Sequence, residues 1–552
     1  MIGVIANAVE HDVVREFFEL FKTPWEFYRS TRRYDVVLCS GAASVGAPNA
    51  DLVILYAGGA IPFDTDAKIP IDCQQSNAML SYRGQRLPLY GESLTFRTEG
   101  MALSDEASAR PAACVTRSGD GVAVRIGYDL FREIRAALTV GQPVANAGLP
   151  CVDTHIAVLR DVILAWTDGL VEIPPVPDGY PFIACLTHDV DHPSIRRHGW
   201  DHTTFGFLYR AVLGSVIDVA RGRKSVRSLL TNWTAAMTLP FVHLGLARDP
   251  WAGFDRYLAI EAGLRSTFFV IPFENDPGRT RRGPAPARRA SRYGARDIAD
   301  SIRRLASAGC EIGVHGLDAW HDSTKGRQEL AEVAAITEAL EVGARMHWLY
   351  ADEHSPATLE KAGFVYDATS GYNETVGYRA GTTQVFKPLD AIRLLELPLH
   401  VMDTALFYPS HLHLAPRDAW RRVSDIIEHA RHLGGTVTVN WHDRSIAPER
   451  LWGEFYAHVV DELKESGAWF ATAGQAVAWF RRRRTAVFEA VSTESGMVRA
   501  KVSVGGDRDL PGVRLRIHRT RDPRRCGAFA IGASAAYVDI GVHGRIDARL
   551  PI

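Results

Sequence analysis

Apolar residues along this chain fall into short runs of four to seven, separated by stretches in which they recur every three or four positions. Near the amino terminus the runs Val4-Ile-Ala, Asp35-Val-Val-Leu-Cys and Asp51-Leu-Val-Ile-Leu-Tyr read as strands, and Val13 to Phe21 reads as a helix between them. Val122 to Ile126 adds a strand, and Thr154 to Trp166 has the spacing of an amphipathic helix. The segment Ile173-Pro-Pro-Val-Pro-Asp-Gly-Tyr-Pro then breaks every regular pattern, because its prolines can continue neither a helix nor a central strand. From Phe182 onward a β/α rhythm sets in. Phe182–Leu186, Ser266–Ile271, Cys310–Val314, Arg345–Leu349, Leu394–Leu397 and Thr436–Asn440 suit buried parallel strands. Helices are predicted between them at Ala295–Ala308, Ser355–Gly363 and Pro416–Leu433, with a Ser cap and early Pro in the second and Gly-Gly after the third. Strands alternating with helices in this way predict an α/β fold, a parallel sheet closed or nearly closed as a (β/α) barrel. Past Arg481-Arg-Arg-Arg the pattern turns to short alternating runs at Met497–Val504, Gly512–Ile517 and Ala535–Gly541, which predict a small β module. The expected division is an α/β domain over 1–175, the barrel over 176–485 and a β-rich domain over 486–552.

Composition narrows the classes. With 46% hydrophobic residues in 552, disorder, collagen and coiled coil are excluded as the dominant state. Lys plus Arg is 63 against 64 for Asp plus Glu, so there is no global attraction to nucleic acid. The seven cysteines are scattered without C-x-x-C spacing, and reduced thiols are expected. The first residues lack the basic start and long apolar run of an export signal, and no apolar run reaches the roughly 18–20 residues of a bilayer span. A cytoplasmic protein with no integral membrane segment is the expectation; nothing in the sequence sets its oligomeric state.

Candidate chemistry gathers where a parallel barrel would place it, after the strands. The first barrel strand ends in Thr187-His-Asp-Val-Asp-His, the third in His315-Gly-Leu-Asp-Ala-Trp-His321-Asp, and the last in Asn440-Trp-His442-Asp-Arg. Asp189 and Asp191 are two apart in extended chain and so share a face. Two carboxylates beside imidazoles suit a divalent transition metal such as Zn, Mn or Fe, with a coordination position left for water. His188, His192, His198 and His202 add imidazole density nearby. Two further features have bland readings that outweigh functional ones: the basic stretch Arg279 to Arg292 as a solvated loop, and Arg481 to Arg484 as a charged helix end.

Residues 182–480 resemble the polysaccharide deacetylase (NodB homology) domain of carbohydrate esterases, as a divergent branch. The family's T-F-D-D-G, T-F-F, E-I-G-x-H, R-x-P and late L-x-x-H elements are matched in order by Thr187-His-Asp189-Val-Asp191, Ser266-Thr-Phe-Phe, Glu311-Ile-Gly-Val-His315, Arg345-Met-His and Val439-Asn-Trp-His442. The resemblance implies a metal-dependent hydrolase, with zinc first among the metals, that removes an N-acetyl group from an amino sugar of a glycan or glycan precursor. It also implies roles: Asp189 as base, Asp191, His315 and His321 as metal ligands, His442 as acid, and Arg345 orienting the base. Because Val190 separates the two acids, their roles could be exchanged. His321 stands six residues after His315 where the family has four, so Asp318 is a rival ligand, and Arg379 is a rival cation because His347 replaces the proline after Arg345. Two other classes stay open: a metal-dependent glycosyltransferase using Asp189-Val-Asp191 as D-x-D, and a catalytically silent glycan-binding barrel.

Overall fold

The protein is described from a computed structural model covering all residues except 42–47, 99–101, 119–120, 223–224, 451, 495, 520–535 and 552. Six cysteines are free thiols, and Cys526 lies outside the described residues. The chain forms two compact units: Met1–Gly179 with Tyr378–Leu389 and Ala478–Ile552, and Tyr180–Gly377 with Asp390–Val477.

In the first unit the predicted strands form a six-stranded sheet in the order Ala113–Ser118, Gly121–Ile126, Ala50–Tyr56, Tyr34–Ser40, Ile2–Ile5, Trp25–Phe27. All neighbours are parallel except the Ala113–Ser118 edge. Helices His11–Leu20, Leu130–Thr139 and Cys151–Trp166 bury Phe17, Phe131 and Leu159 in one core with Leu38, Ile54 and Val124 from the strands. The segment Tyr378–Leu389 joins this unit through Asp153, whose carboxylate accepts from Thr382 Oγ1 and Thr383 N, each at 2.8 Å. Gly381 there has φ +70°, and a Cβ on it would stand 2.4 Å from Cys151 Sγ, so any other residue is strained and must push that thiol aside.

The predicted carboxy-terminal strands Met497–Ser503, Val513–Arg519 and Ala536–Val542 are present; Val513–Arg519 pairs antiparallel with Gly169–Glu172. The arginine run before them ends a helix, Ala473–Arg484. It is not a solvated end: Arg482 and Arg483 are buried. Arg483 donates to the carbonyls of Glu19, Leu20 and Ile173 at 2.7–3.0 Å, saturating acceptors that the end of His11–Leu20 leaves open. Arg483→Met should therefore strand several buried carbonyls and lower stability by roughly 2–4 kcal/mol, read as a fall in the denaturant midpoint of the first unit; an unchanged midpoint would contradict that role.

The second unit is a curled, all-parallel sheet of nine strands: β1 (Ile183–Val190), β2 (Ser266–Val270), β3 (Glu311–Gly316), β4 (Ala344–Met346), β5 (Tyr366–Asp367), β6 (Leu395–Glu396), β7 (Val401–Met402), β8 (Thr436–Asn440) and β9 (Trp469–Phe470). Its order is β6-β5-β4-β3-β2-β1-β8-β7, with β9 also on β1. This is the expected (β/α) architecture as a curled sheet; β6 and β7, at its two ends, are not paired with each other. Six strands fall on predicted runs, whereas β5, β7 and β9, of two residues each, were not predicted.

Two helices between β1 and β2 were also not predicted, α1 (His202–Ala220, with a π turn at Arg210–Gly214) and α2 (Val226–His243). By length and composition α1 could cross a membrane, contrary to the expectation that no stretch qualifies. Arg210 and Asp218 interrupt its apolar run, and a search for an unbroken run passes over it.

Candidate metal centre

The carboxyl ends of β1, β3, β4 and β8 open on one cleft of about 690 Å³, all of it within the second unit. Period-two alternation along β1 turns Asp189 and Asp191 toward it. His188, one residue before Asp189 and so of opposite phase, goes the other way: it is buried among Tyr257, Phe268 and Tyr456, with its ring nitrogens on the Trp441 carbonyl and Glu261 at 2.8 Å each. It belongs to the packing behind the sheet and not to the site. His192, which lines the cleft, pairs with His198 at 3.2 Å, and His198 with Asp201 at 2.9 Å.

Asp191, His315 and His347 form the metal-competent group, each offering an atom within 4.8 Å of the others. His315 Nε2 and His347 Nε2 lie 3.4 and 3.6 Å from Asp191 Oδ1. Asp191 Oδ1 is buried and has no hydrogen-bond partner, a costly arrangement that a cation would relieve. The Nδ1 of His315 meets the Arg345 carbonyl at 3.0 Å, which fixes the ring and leaves Nε2 as the free donor atom. Burial drives the pKa of His347 down to about 3, so its imidazole is neutral, the form that ligates. Burial opposes ionisation of Asp191, but the facing His347, His315 and His442 rings outweigh it and hold the carboxyl well below its ordinary range. One carboxylate and two imidazoles suit a transition metal with an open position.

His347 is the residue that the sequence reading passed over as a ligand. It follows β4, where Trp348 and Leu349 both take positive φ, 64° and 53°, and turn the chain sharply away. Arg289, buried, donates to the His347 carbonyl at 2.8 Å and to Pro277 at 2.7 Å. The Arg279–Arg292 stretch is therefore partly a buttress for this turn and not merely a solvated loop.

His321 is not brought to the group. Its Nε2 meets Asp318 Oδ1 at 3.1 Å, while Asp318 also takes the Arg279 amide and the Lys325 ammonium. Both rivals for the third position are thus engaged with one another, and the loop does not bulge inward. Arg379 likewise is elsewhere, donating to the Val140 carbonyl, and the cation on Asp189 is Arg345.

Asp189 is held from two sides. Arg345 Nη1 donates to its Oδ1 at 3.0 Å and Asn440 Nδ2 to its Oδ2 at 2.7 Å. Burial alone would raise its pKa, but His315 and Arg345 pull it below the usual value, and it stays ionised. Across the cleft His442 Nε2 lies 3.9 Å from Asp191 Oδ2. Its Nδ1 meets Asp403 Oδ1 at 2.6 Å, and its backbone N donates to Asp403 Oδ2 at 2.8 Å. Asp403, just after β7, is a second residue that the sequence reading missed; no motif marks it. Burial would deprotonate His442, yet Asp403 more than offsets this and pushes its pKa up to about 10.

No family model matches this chain, and no curated protein does. Among solved structures it is similar to a protein assigned as a polysaccharide deacetylase from Mycobacterium smegmatis, at 19% identity and TM-score 0.34, covering 56% of this chain and 95% of that one. It is similar to Puue allantoinase at 15% and 0.33, over 55% and 91%, and to a protein assigned as a polysaccharide deacetylase from Pseudomonas aeruginosa PAO1 at 14% and 0.33, over 56% and 94%. Likeness at this level names no family for the chain, and the argument for function rests on the site.

Proposed function

We propose that the protein is a metal-dependent amide hydrolase that removes the N-acetyl group from an amino sugar of a glycan or its precursor. The observation that carries this reading is a single cleft in which a metal-competent group, an ionised carboxylate and a protonated imidazole face one another. A divalent cation held by Asp191, His315 and His347, zinc by the chemistry of these donors, would polarise the amide oxygen and acidify water. Asp189, oriented by Arg345 and Asn440, takes the proton of the attacking water. His442, kept protonated by Asp403, gives its proton to the departing amine. The D-x-D reading finds less support, because Asp189 is already engaged by Arg345 and is not one of the three grouped donors.

The test is to measure metal content and acetate release together, with the protein loaded with zinc, on a panel of N-acetylated amino sugars free and in oligomers. Release that depends on the metal is expected. A fully loaded protein that releases no acetate from any of them would leave the silent-barrel reading in its place.

A further inference from the structure

The helices α1 and α2 form a hairpin with more apolar surface than its packing uses. On α2, Asn232, Ala235, Leu239 and Val242 are buried; of these, Ala235, Leu239 and Val242 share a cluster with Phe207, Ala211 and Trp251, the single stripe a packed helix needs. A second stripe runs along the other face. Val226, Leu230, Trp233, Met237, Phe241 and Leu244, spaced by threes and fours, are all exposed, Met237 at 78%. On α1, Phe205, Tyr209, Leu213 and Ile217 are exposed at the same spacing. Contiguous apolar surface of this kind marks an interaction face.

Charge selects the partner. Asp218 is the one acidic residue between Asp201 and Asp249, while Arg221 follows α1 and Arg227 stands in the first turn of α2. Apolar stripes with aromatic residues and a basic margin poor in acid complement a bilayer surface rich in anionic lipid. A second copy of the chain would bring the same basic margin against itself.

The hairpin also reaches the cleft. Arg210, in the π turn of α1, lines it together with Arg444 and Arg450. Among the described residues no carboxylate stands within ion-pair distance of Arg210 or Arg450, and Arg444 has only Glu449, at 3.4 Å. Arg210 Nε is buried without a partner, and Arg450 lies over the Tyr408 and Trp452 rings at 5.3 and 5.1 Å. Three guanidinium groups with one carboxylate between them fit a phosphate ester, which can take their paired N–H groups. We infer that the hairpin docks on an anionic membrane surface and that these arginines hold the phosphate of a lipid-carried substrate. What is done to that substrate rests on the hydrolase reading above; the docking and the phosphate site do not.

Two binding measurements on the full-length protein test this without using turnover, so failure of the hydrolase reading leaves them standing. The first is co-sedimentation with vesicles of phosphatidylcholine with and without phosphatidylglycerol. The protein should sediment with the anionic vesicles, and a Leu230→Ser, Met237→Ser, Phe241→Ser variant should stay in solution. The three side chains face outward, so the variant should keep the wild-type thermal unfolding curve. Wild-type protein that ignores every vesicle, or a dimer that this variant makes monomeric, would overturn membrane docking. The second is calorimetric titration with inorganic phosphate and with a short-chain alkyl phosphate. The alkyl ester should bind more tightly, and Arg210→Gln or Arg450→Gln should weaken it by about tenfold. Equal binding of the two probes, or variants that bind as the wild type does, would overturn the lipid-phosphate assignment.

Discussion

His442→Gln should lower turnover on the best N-acetylated substrate by roughly 10²–10⁴-fold while metal content stays at the wild-type level. Glutamine keeps the volume and a hydrogen-bonding end, but it has no proton to give at neutral pH. His442 does: Asp403 pushes its pKa up to about 10 against the effect of burial, so the imidazolium is the resident form. The sign of the pH dependence follows. The acid form is present below the folded pKa and is lost as the pH rises through it, so the alkaline limb of kcat/KM reports His442. A cation beside Asp191 would cancel part of the negative field on this ring and carry the limb below about 10. Asp403→Asn removes the larger part of that field and should carry the limb further down, toward the ordinary histidine value near 6.5. The measurement is a pH series of acetate release for wild type, Asp403→Asn and His442→Gln, with metal assayed in each sample. An alkaline limb unmoved in Asp403→Asn would place the acid on another residue.

The parts of this site that were legible in the sequence are those carried by strands long enough to show a period. β1 runs for eight residues, and its alternation placed Asp189 and Asp191 together and could also have sent His188 away. His315 and His442 ended runs of apolar residues that could only be buried strands. Asp403 follows a strand of two residues, Val401–Met402, which has no period to read. His347 did carry a signal that went unused: it is two residues from Arg345, and in extended chain two apart means one face. It was passed over because it filled the place of the proline in the resembling pattern. His321 failed for the opposite reason. Its distance along the chain from His315 was compared with a family spacing, while the acid and lysine nearby, Asp318 and Lys325, gave it a local partner instead. The hairpin escaped because α2 is apolar on two faces, which blurs the one-sided spacing by which a soluble helix is recognised. Contacts such as Asp153 with Thr382 join positions that no local pattern connects.

His347→Ala and His321→Ala separate the geometry of the site from the family spacing. Loss of His347 should weaken metal binding by at least about 10²-fold, since removing a direct ligand costs no less than removing an outer partner. His321→Ala should leave affinity within about twofold of wild type, an effect below the scale of any coordination bond. The reason lies in what each ring faces. His347 Nε2 is 3.6 Å from Asp191 Oδ1, an oxygen with no other partner, and its burial keeps it free of the proton that would compete with a metal. His321 faces Asp318, whose charge Lys325 already meets. Asp189→Asn belongs beside them as a control. It should keep its metal and lose turnover, because Asp189, held by Arg345 and Asn440, serves as the base and is not one of the three donors. Competition for zinc against a chelator of known affinity, read by elemental analysis after dialysis, gives all three values. Full occupancy in His347→Ala with loss in His321→Ala would return the third position to the loop after β3 and would require that loop to fold inward when the metal binds.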